Sequence, residues 1–146
     1  MHIQPYLFFD GRCEEAIEFY EGAVGAEIEM LMRHKDNPAP PPPGSLPAGS
    51  ENKVMHACFR IGETRVMASD GHCGGSPRFQ GFSLSVSTAT APEAEAVFNR
   101  LASGGKVQMP LGKTFWSPAF GMLVDRFGVA WMVTVAGRGN RDEVRQ

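Results

Sequence analysis

Residues 115–135 read Phe115-Trp116-Ser117-Pro118-Ala119-Phe120-Gly121-Met122-Leu123-Val124-Asp125-Arg126-Phe127-Gly128-Val129-Ala130-Trp131-Met132-Val133-Thr134-Val135. Two apolar runs flank Asp125-Arg126-Phe127-Gly128, a turn whose glycine supplies the permissive φ that a hairpin needs. A hairpin this rich in Phe, Trp, Met and Val must bury at least one face. A shorter copy occupies residues 54–70 and turns at Gly62-Glu63.

The segments upstream of each hairpin also match. Residues 3–9 are apolar and aromatic and predict a strand. Asp10-Gly11 ends it and offers a helix cap, with Glu14 and Glu15 in the first turn, where the helix dipole favours negative charge. Cys13, Ala16, Ile17, Tyr20, Ala23 and Val24 fall at helical spacing, and Gly25 is the expected stop. Residues 26–33 predict a second strand, and 54–60 with 64–70 the first hairpin. In the second half, residues 79–87 predict a strand. Pro92 suits a first helical position. Ala94, Val97, Phe98, Leu101 and Ala102 form the next stripe, Gly104-Gly105 ends that helix, and 106–111 form the strand before the final hairpin.

Each half therefore reads strand, helix, strand, strand, strand. Tyr20 and Phe98 lie 78 positions apart, and Gly62 and Gly128 lie 66 apart. A Pro-rich insertion in the first half accounts for the difference. A repeat at this scale predicts duplication of one βαβββ unit. The expected fold is α+β: two such modules forming a curved mixed sheet around a cavity, with the helices outside. We expect one domain over 1–137, with module 1 at about 1–72, a linker at 73–78, module 2 at about 79–137, and a polar tail at 138–146 that frays.

Composition narrows the function classes. The chain has 146 residues, 42% of them hydrophobic, and a net charge of −2, which gives no reason to expect nucleic acid or an anionic membrane as partner. No apolar run approaches the roughly 20 residues of a membrane helix. Cys13, Cys58 and Cys73 make an odd count without a Cys-x-x-Cys pair, so a reducing cytoplasm is expected rather than a disulfide framework. The N-terminus lacks the basic start and apolar core of a signal peptide. Between 36 and 50, Pro38, Pro40, Pro41, Pro42, Pro43 and Pro47 leave too few donors for a helix or a central strand. A surface loop or pocket lid is the expectation, a Pro-rich recognition motif the alternative. The Gly-rich link at 71–77 is a poor phosphate loop, since no Lys-Ser/Thr follows it.

Several motifs carry a resemblance. Pro5-Tyr6-Leu7-Phe8-Phe9-Asp10-Gly11, Glu15-Ala16-Ile17-Glu18-Phe19-Tyr20 and Val24-Gly25-Ala26 resemble the opening of the glyoxalase, bleomycin-resistance and extradiol-dioxygenase superfamily, the vicinal oxygen chelate proteins. His56-Ala57, Ser69-Asp70-Gly71, Phe115-Trp116, Phe120-Gly121 and Asp125-Arg126-Phe127-Gly128-Val129-Ala130-Trp131 are similar to its PhnB-like branch, sometimes labelled demethylubiquinone methyltransferases. The resemblance runs to about Val135. It implies paired βαβββ modules, usually a dimer, and in the enzymes a divalent ion bound by the first and last strands of each module.

Aligned on the helix and turn motifs, those strand positions fall on Pro5, Met67, Gly81 or Phe82, and Met132. None is an ordinary ligand for a hard divalent ion. The expectation is therefore a small-molecule binder with no metal cofactor, working as a homodimer. Its lining is drawn from Leu7, Phe9, His56, Met67, Ser69, Phe82, Trp116 and Met132, with Ala130 and Thr134 beside them. Trp131 and Val133, on the opposite face, are expected under a helix. The alternatives are a divergent lyase, isomerase or dioxygenase with a divalent metal ion at His56, Cys58 or His72, and a methyltransferase. His56 and Cys58 share a strand face about 6.6 Å apart, so a Cys58 nucleophile with His56 as base is also open; it needs a third group to orient the base. A methyl-donor site of the usual kind needs a glycine-rich turn after the first strand, where Gly11 stands alone.

Overall fold

The computed structural model describes residues 1–136 apart from Pro40 and Gly75. The expected polar tail lies outside the described residues. The chain divides into two compact units, Met1–Arg78 and Phe79–Gln146. The first holds β1 (Tyr6–Phe8), α1 (Cys13–Val24), β2 (Glu27–Arg33), β3 (Val54–Ile61) and β4 (Thr64–Ser69). The second holds β5 (Leu84–Thr88), α2 (Ala91–Ala102), β6 (Lys106–Gly112), β7 (Phe120–Val124) and β8 (Ala130–Val135). Both are βαβββ units with the same topology. Their sheets run β1-β4-β3-β2 and β5-β8-β7-β6, and in each the first strand lies parallel to the last. The fold is α+β.

In the first unit, α1 buries Cys13, Ala16, Ile17, Tyr20 and Ala23, the expected stripe without Val24. Its aromatic anchor Tyr20 meets Phe9 and Phe59, both at 6.1 Å between ring centroids. Burying each such side chain contributes about 1.5–3 kcal/mol. Gly25 closes the helix at φ 68°, with its N–H donating to Tyr20 O.

The start of α1 differs from expectation. Arg12 is the capping position and its side chain does not cap. The acceptor comes from the far end of the sheet: Asp70 is 1% exposed, and its carboxylate takes N–H bonds from Gly11 (3.0 Å), Cys13 (2.8 Å) and Val54 (2.7 Å). One side chain thus ties together the helix start, β3 and the end of β4. Asp10 instead adopts a positive φ of 53° and accepts from Gly74 N at 2.6 Å.

In the second unit, Thr90 caps α2 by accepting from Glu93 N at 3.3 Å, and Pro92 sits at the second helical position, one later than expected. The helix packs on β8 and β7 through Ala94, Phe98 and Leu101, over Trp131 and Val133. Gly105 follows so closely on the β7 end that a Cβ there would lie 2.2 Å from Val124 O. The final hairpin turns where the sequence placed it, with Gly128 at φ 92°. Buried Asp125 holds that turn: it accepts from Phe127 N (2.8 Å), Val129 N (3.1 Å) and Trp131 Nε1 (2.8 Å).

Two predicted strands are shorter than expected. The first begins at Tyr6 rather than residue 3, and Ile3 is 96% exposed. The strand placed at 79–87 begins only at Leu84, because Gly81 breaks the extended run at φ 80°. The Pro-rich segment carries two single-turn 3-10 elements, His34–Asp36 and Ser50–Asn52, at its ends.

Candidate functional site

Strand alternation gives each sheet one face under its helix and one face without a helix, here called the open face. In the first unit the helix side holds Leu7, Ala57, Phe59, Val66 and Ala68, all 3% exposed or less. The open face is set by register. Tyr6 pairs with Met67, Met67 with Cys58, and Cys58 with Met30. These four side chains form one row across all four strands. His56, paired with Met32, starts the next row.

Tyr6 Oη lies 3.1 Å from His56 Nδ1, with the rings stacked at 5.6 Å and 29°. That bond fixes the imidazole plane and leaves Nε2 as its other polar atom. Phe8 stands 4.8 Å from Tyr6 and is 57% exposed.

The second unit repeats this plan. Ser85 pairs with Met132, Met132 with Met122, and Met122 with Met109, again one row across four strands. The next row on that face runs Ser87, Thr134, Phe120 and Gly112. Thr134 Oγ1 meets Ser117 Oγ at 3.0 Å. Buried Ser117 also donates to Ala119 O (2.7 Å) and stands 3.0 Å from Val135 O, which anchors the loop before β7. On that anchored loop Phe115 and Trp116 project outward, 97% and 54% exposed, and Trp116 meets Phe120 edge-on at 5.5 Å.

Of the residues expected to line a site, His56, Met67 and Met132 lie on open faces, and Trp116 lies on the loop beside one. Leu7 and Phe9 do not line an open face. Leu7 points to the helix side, and Phe9, fully buried, contacts Tyr20 of α1. The parity of β1 is shifted by one residue from the sequence reading, so Tyr6 and Phe8 take the open side. Ser69 pairs with Phe8 but is 3% exposed, and its hydroxyl accepts from Gly71 N at 3.1 Å. Phe82 precedes β5, 46% exposed and edge-on to Phe79 at 6.3 Å. Ser85, not Phe82 or Gly81, stands beside Met132.

The same correction applies in the first unit, where Tyr6 rather than Pro5 stands beside Met67. The positions that the resemblance implies for a divalent ion therefore hold Tyr6 beside Met67 in the first unit and, separately, Ser85 beside Met132 in the second. A phenol, a hydroxyl and two thioethers do not suit a hard divalent cation, which takes carboxylates, carbonyls and imidazoles. Among the described residues no group of three or more His, Cys, Asp or Glu stands together as a metal centre. His72 is exposed, and both oxygens of Asp70 are engaged by main-chain donors.

Tyr6 is the residue that sequence reasoning missed. Alternation sets Tyr6 and Phe8 on one face and Leu7 and Phe9 on the other, but does not say which of these faces the helix. Separately, the Pro-rich segment borders a cavity of about 450 Å³ lined in part by His34, Pro41, Pro43 and Leu46. No helix among the described residues is long and apolar enough to cross a membrane.

Comparison with known proteins agrees with this architecture. Residues 1–134 match a family model described as 3-demethylubiquinone-9 3-methyltransferase. Protein PA1353 from Pseudomonas aeruginosa is 43% identical, with 93% of this chain and 98% of that chain covered and a TM-score of 0.80. A PhnB protein from Bacillus cereus, described as a putative 3-demethylubiquinone-9 3-methyltransferase, is 33% identical over 93% of this chain and 100% of its own, with a TM-score of 0.77. A glyoxylase/bleomycin resistance protein/dioxygenase domain from Frankia sp. EAN1pec shares the fold at 16% identity and a TM-score of 0.59, over 93% of this chain and 95% of that one. With the repeated βαβββ units, these matches establish that the chain belongs to the family described as 3-demethylubiquinone-9 3-methyltransferase, shared with the PhnB protein, and that it has the glyoxalase/bleomycin-resistance fold.

Proposed function

We propose that this protein binds a small, flat, partly apolar molecule on the open sheet faces, without a hard divalent metal. The observation that carries the reading is the make-up of each open face: Tyr6 beside Met67 in the first unit and Ser85 beside Met132 in the second, none an ordinary ligand for a hard divalent ion. Around them lie half-exposed thioethers and rings with a few hydroxyl and imidazole groups, which is the chemistry of a ligand site. Methionine adapts to irregular shapes, and Trp116 offers a stacking surface.

Methyl transfer has less support. The family model's description names it, but each sheet has one parallel pair and lacks the doubly wound, glycine-turn architecture that usually seats a methyl donor. The divergent-enzyme reading gains one point from the Tyr6–His56 bond, which supplies the group orienting an imidazole base.

The proposal includes a homodimer in a cytoplasmic setting. The edge strands β2 and β6 expose Ile28 (46%), Val107 (44%) and Met109 (44%), and exposed apolar edges invite pairing. Light scattering at micromolar concentration tests it, and a monomer refutes it.

The binding reading is tested by a thermal-shift screen of planar aromatic compounds. A rise that is lost in Met67→Ala supports a site on the first sheet, and one lost in Trp116→Ala a site beside the second. A rise produced by manganese, nickel or zinc and abolished by His56→Ala refutes it in favour of the metal-dependent enzyme.

A further inference from the structure

We propose that the open face of the first sheet holds a soft monovalent cation, Cu(I), on a row of three sulfurs. Met30, Cys58 and Met67 occupy directly paired positions on β2, β3 and β4. Neighbouring strands stand about 4.8 Å apart, so a thiolate lies centrally with a thioether on each side. Two unbranched methionine side chains can close such a gap onto one ion. All three residues are only partly buried, Met30 being 38% exposed, so an ion can reach them from solvent.

His56 completes the set. It lies two residues from Cys58 on the same strand face, and Tyr6 engages its Nδ1 at 3.1 Å. With Nδ1 donating to the tyrosine oxygen, Nε2 presents its lone pair to the ion, the arrangement by which an outer partner orients a ligating imidazole. Thiolate, thioether and imidazole together select Cu(I) over magnesium, calcium or manganese. Binding converts the Cys58 thiol to a thiolate, and its proton passes to the buffer.

The second unit provides an internal comparison. Its equivalent row, Met109, Met122 and Met132, also offers three sulfurs, but all are neutral thioethers, and Ser85 replaces Tyr6. A site without a thiolate binds the same ion more weakly. The tight site therefore belongs to the first unit. The inference shares Met67 and His56 with the small-molecule reading but does not rest on it.

The test uses the full chain, reduced and anaerobic, titrated with Cu(I) against a competing chelator, with Ag(I) as a redox-inert second probe. One tight equivalent per chain is expected, with sulfur-dominated X-ray absorption at the copper edge. Cys58→Ser should weaken it on the order of tenfold or more, and Met67→Leu, which conserves volume, should also weaken it. Cys73→Ser and Met122→Leu should leave it unchanged. Circular dichroism confirms that each variant is folded. Absence of tight binding, loss of it in Cys73→Ser, or full retention in Cys58→Ser overturns the proposal.

Discussion

Replacing Asp70 should unfold the first unit more readily than any surface change, because three main-chain donors converge on one carboxylate. Oδ1 takes Gly11 N and Cys13 N, and Oδ2 takes Val54 N. The Cys13 and Val54 bonds are buried, whereas Gly11 N is part-buried. An unsatisfied buried donor costs about 1–3 kcal/mol. Asp70→Ala leaves two such donors and removes a side-chain cap of α1, so a loss of about 4 kcal/mol is expected. That is a large part of the roughly 5–15 kcal/mol that holds a domain together.

Asp70→Asn is a sharper probe. Its amide has one acceptor and two donors, so it can serve either the Gly11–Cys13 pair or Val54, but not both sets. A loss of about 2–3 kcal/mol is expected. Urea unfolding followed by far-UV circular dichroism gives the magnitudes, and hydrogen exchange at Cys13 N and Val54 N locates them. An Ala variant within about 1 kcal/mol of the parent, or unchanged protection at both amides, would refute the reasoning.

Gly105→Ala should be severely destabilising, by about 3 kcal/mol or more, since its Cβ would lie 2.2 Å from a carbonyl oxygen of the backbone; thermal melts read the loss. Gly22→Ala should do the opposite, because it is a helical site with open space around the new methyl, and a gain of about 0.5–1 kcal/mol is expected in the same melts. Ser117→Ala removes a hydroxyl that links Ala119, Thr134 and Val135, so about 1–2 kcal/mol should be lost and Trp116 fluorescence should shift as its loop loosens. Burial, reinforced by the negative charges of Asp70 and Glu14, pushes the Cys13 thiol up well beyond the ordinary range. A thiol reagent at neutral pH should therefore label Cys58 and Cys73 in the folded chain but reach Cys13 only on unfolding, with mass spectrometry of digested protein as the readout.

Much of the architecture was legible because it repeats. Two helices with apolar stripes anchored by Tyr20 and Phe98, and two hairpins turning at Gly62 and Gly128, define the βαβββ unit from the sequence alone. What stayed hidden was parity and long-range pairing. In residues 5–9 every residue is apolar or aromatic, so alternation cannot reveal which of Tyr6 or Leu7 faces the helix. Only the parallel pairing with Met67 and Ala68 decides it. Phe82 misled for a related reason, since an apolar run continues across Gly81 although its backbone does not extend. The cap of α1 was sought in Asp10, the nearest acidic residue. The chain instead uses Asp70, 60 positions later by number, and no local pattern encodes that choice. The sulfur rows were invisible as rows, because their members lie on three strands each.

The unequal links between the third and second strands of each unit bear on the order of assembly. Residues 34–53 separate β2 from β3, whereas residues 113–119 separate β6 from β7. Bringing the ends of the longer link together costs roughly 1 kcal/mol more in chain entropy, and its prolines stiffen it toward extended conformations. On chain entropy alone, the C-terminal sheet is expected to close before the N-terminal one, whose two middle strands are joined by the longer, proline-rich link.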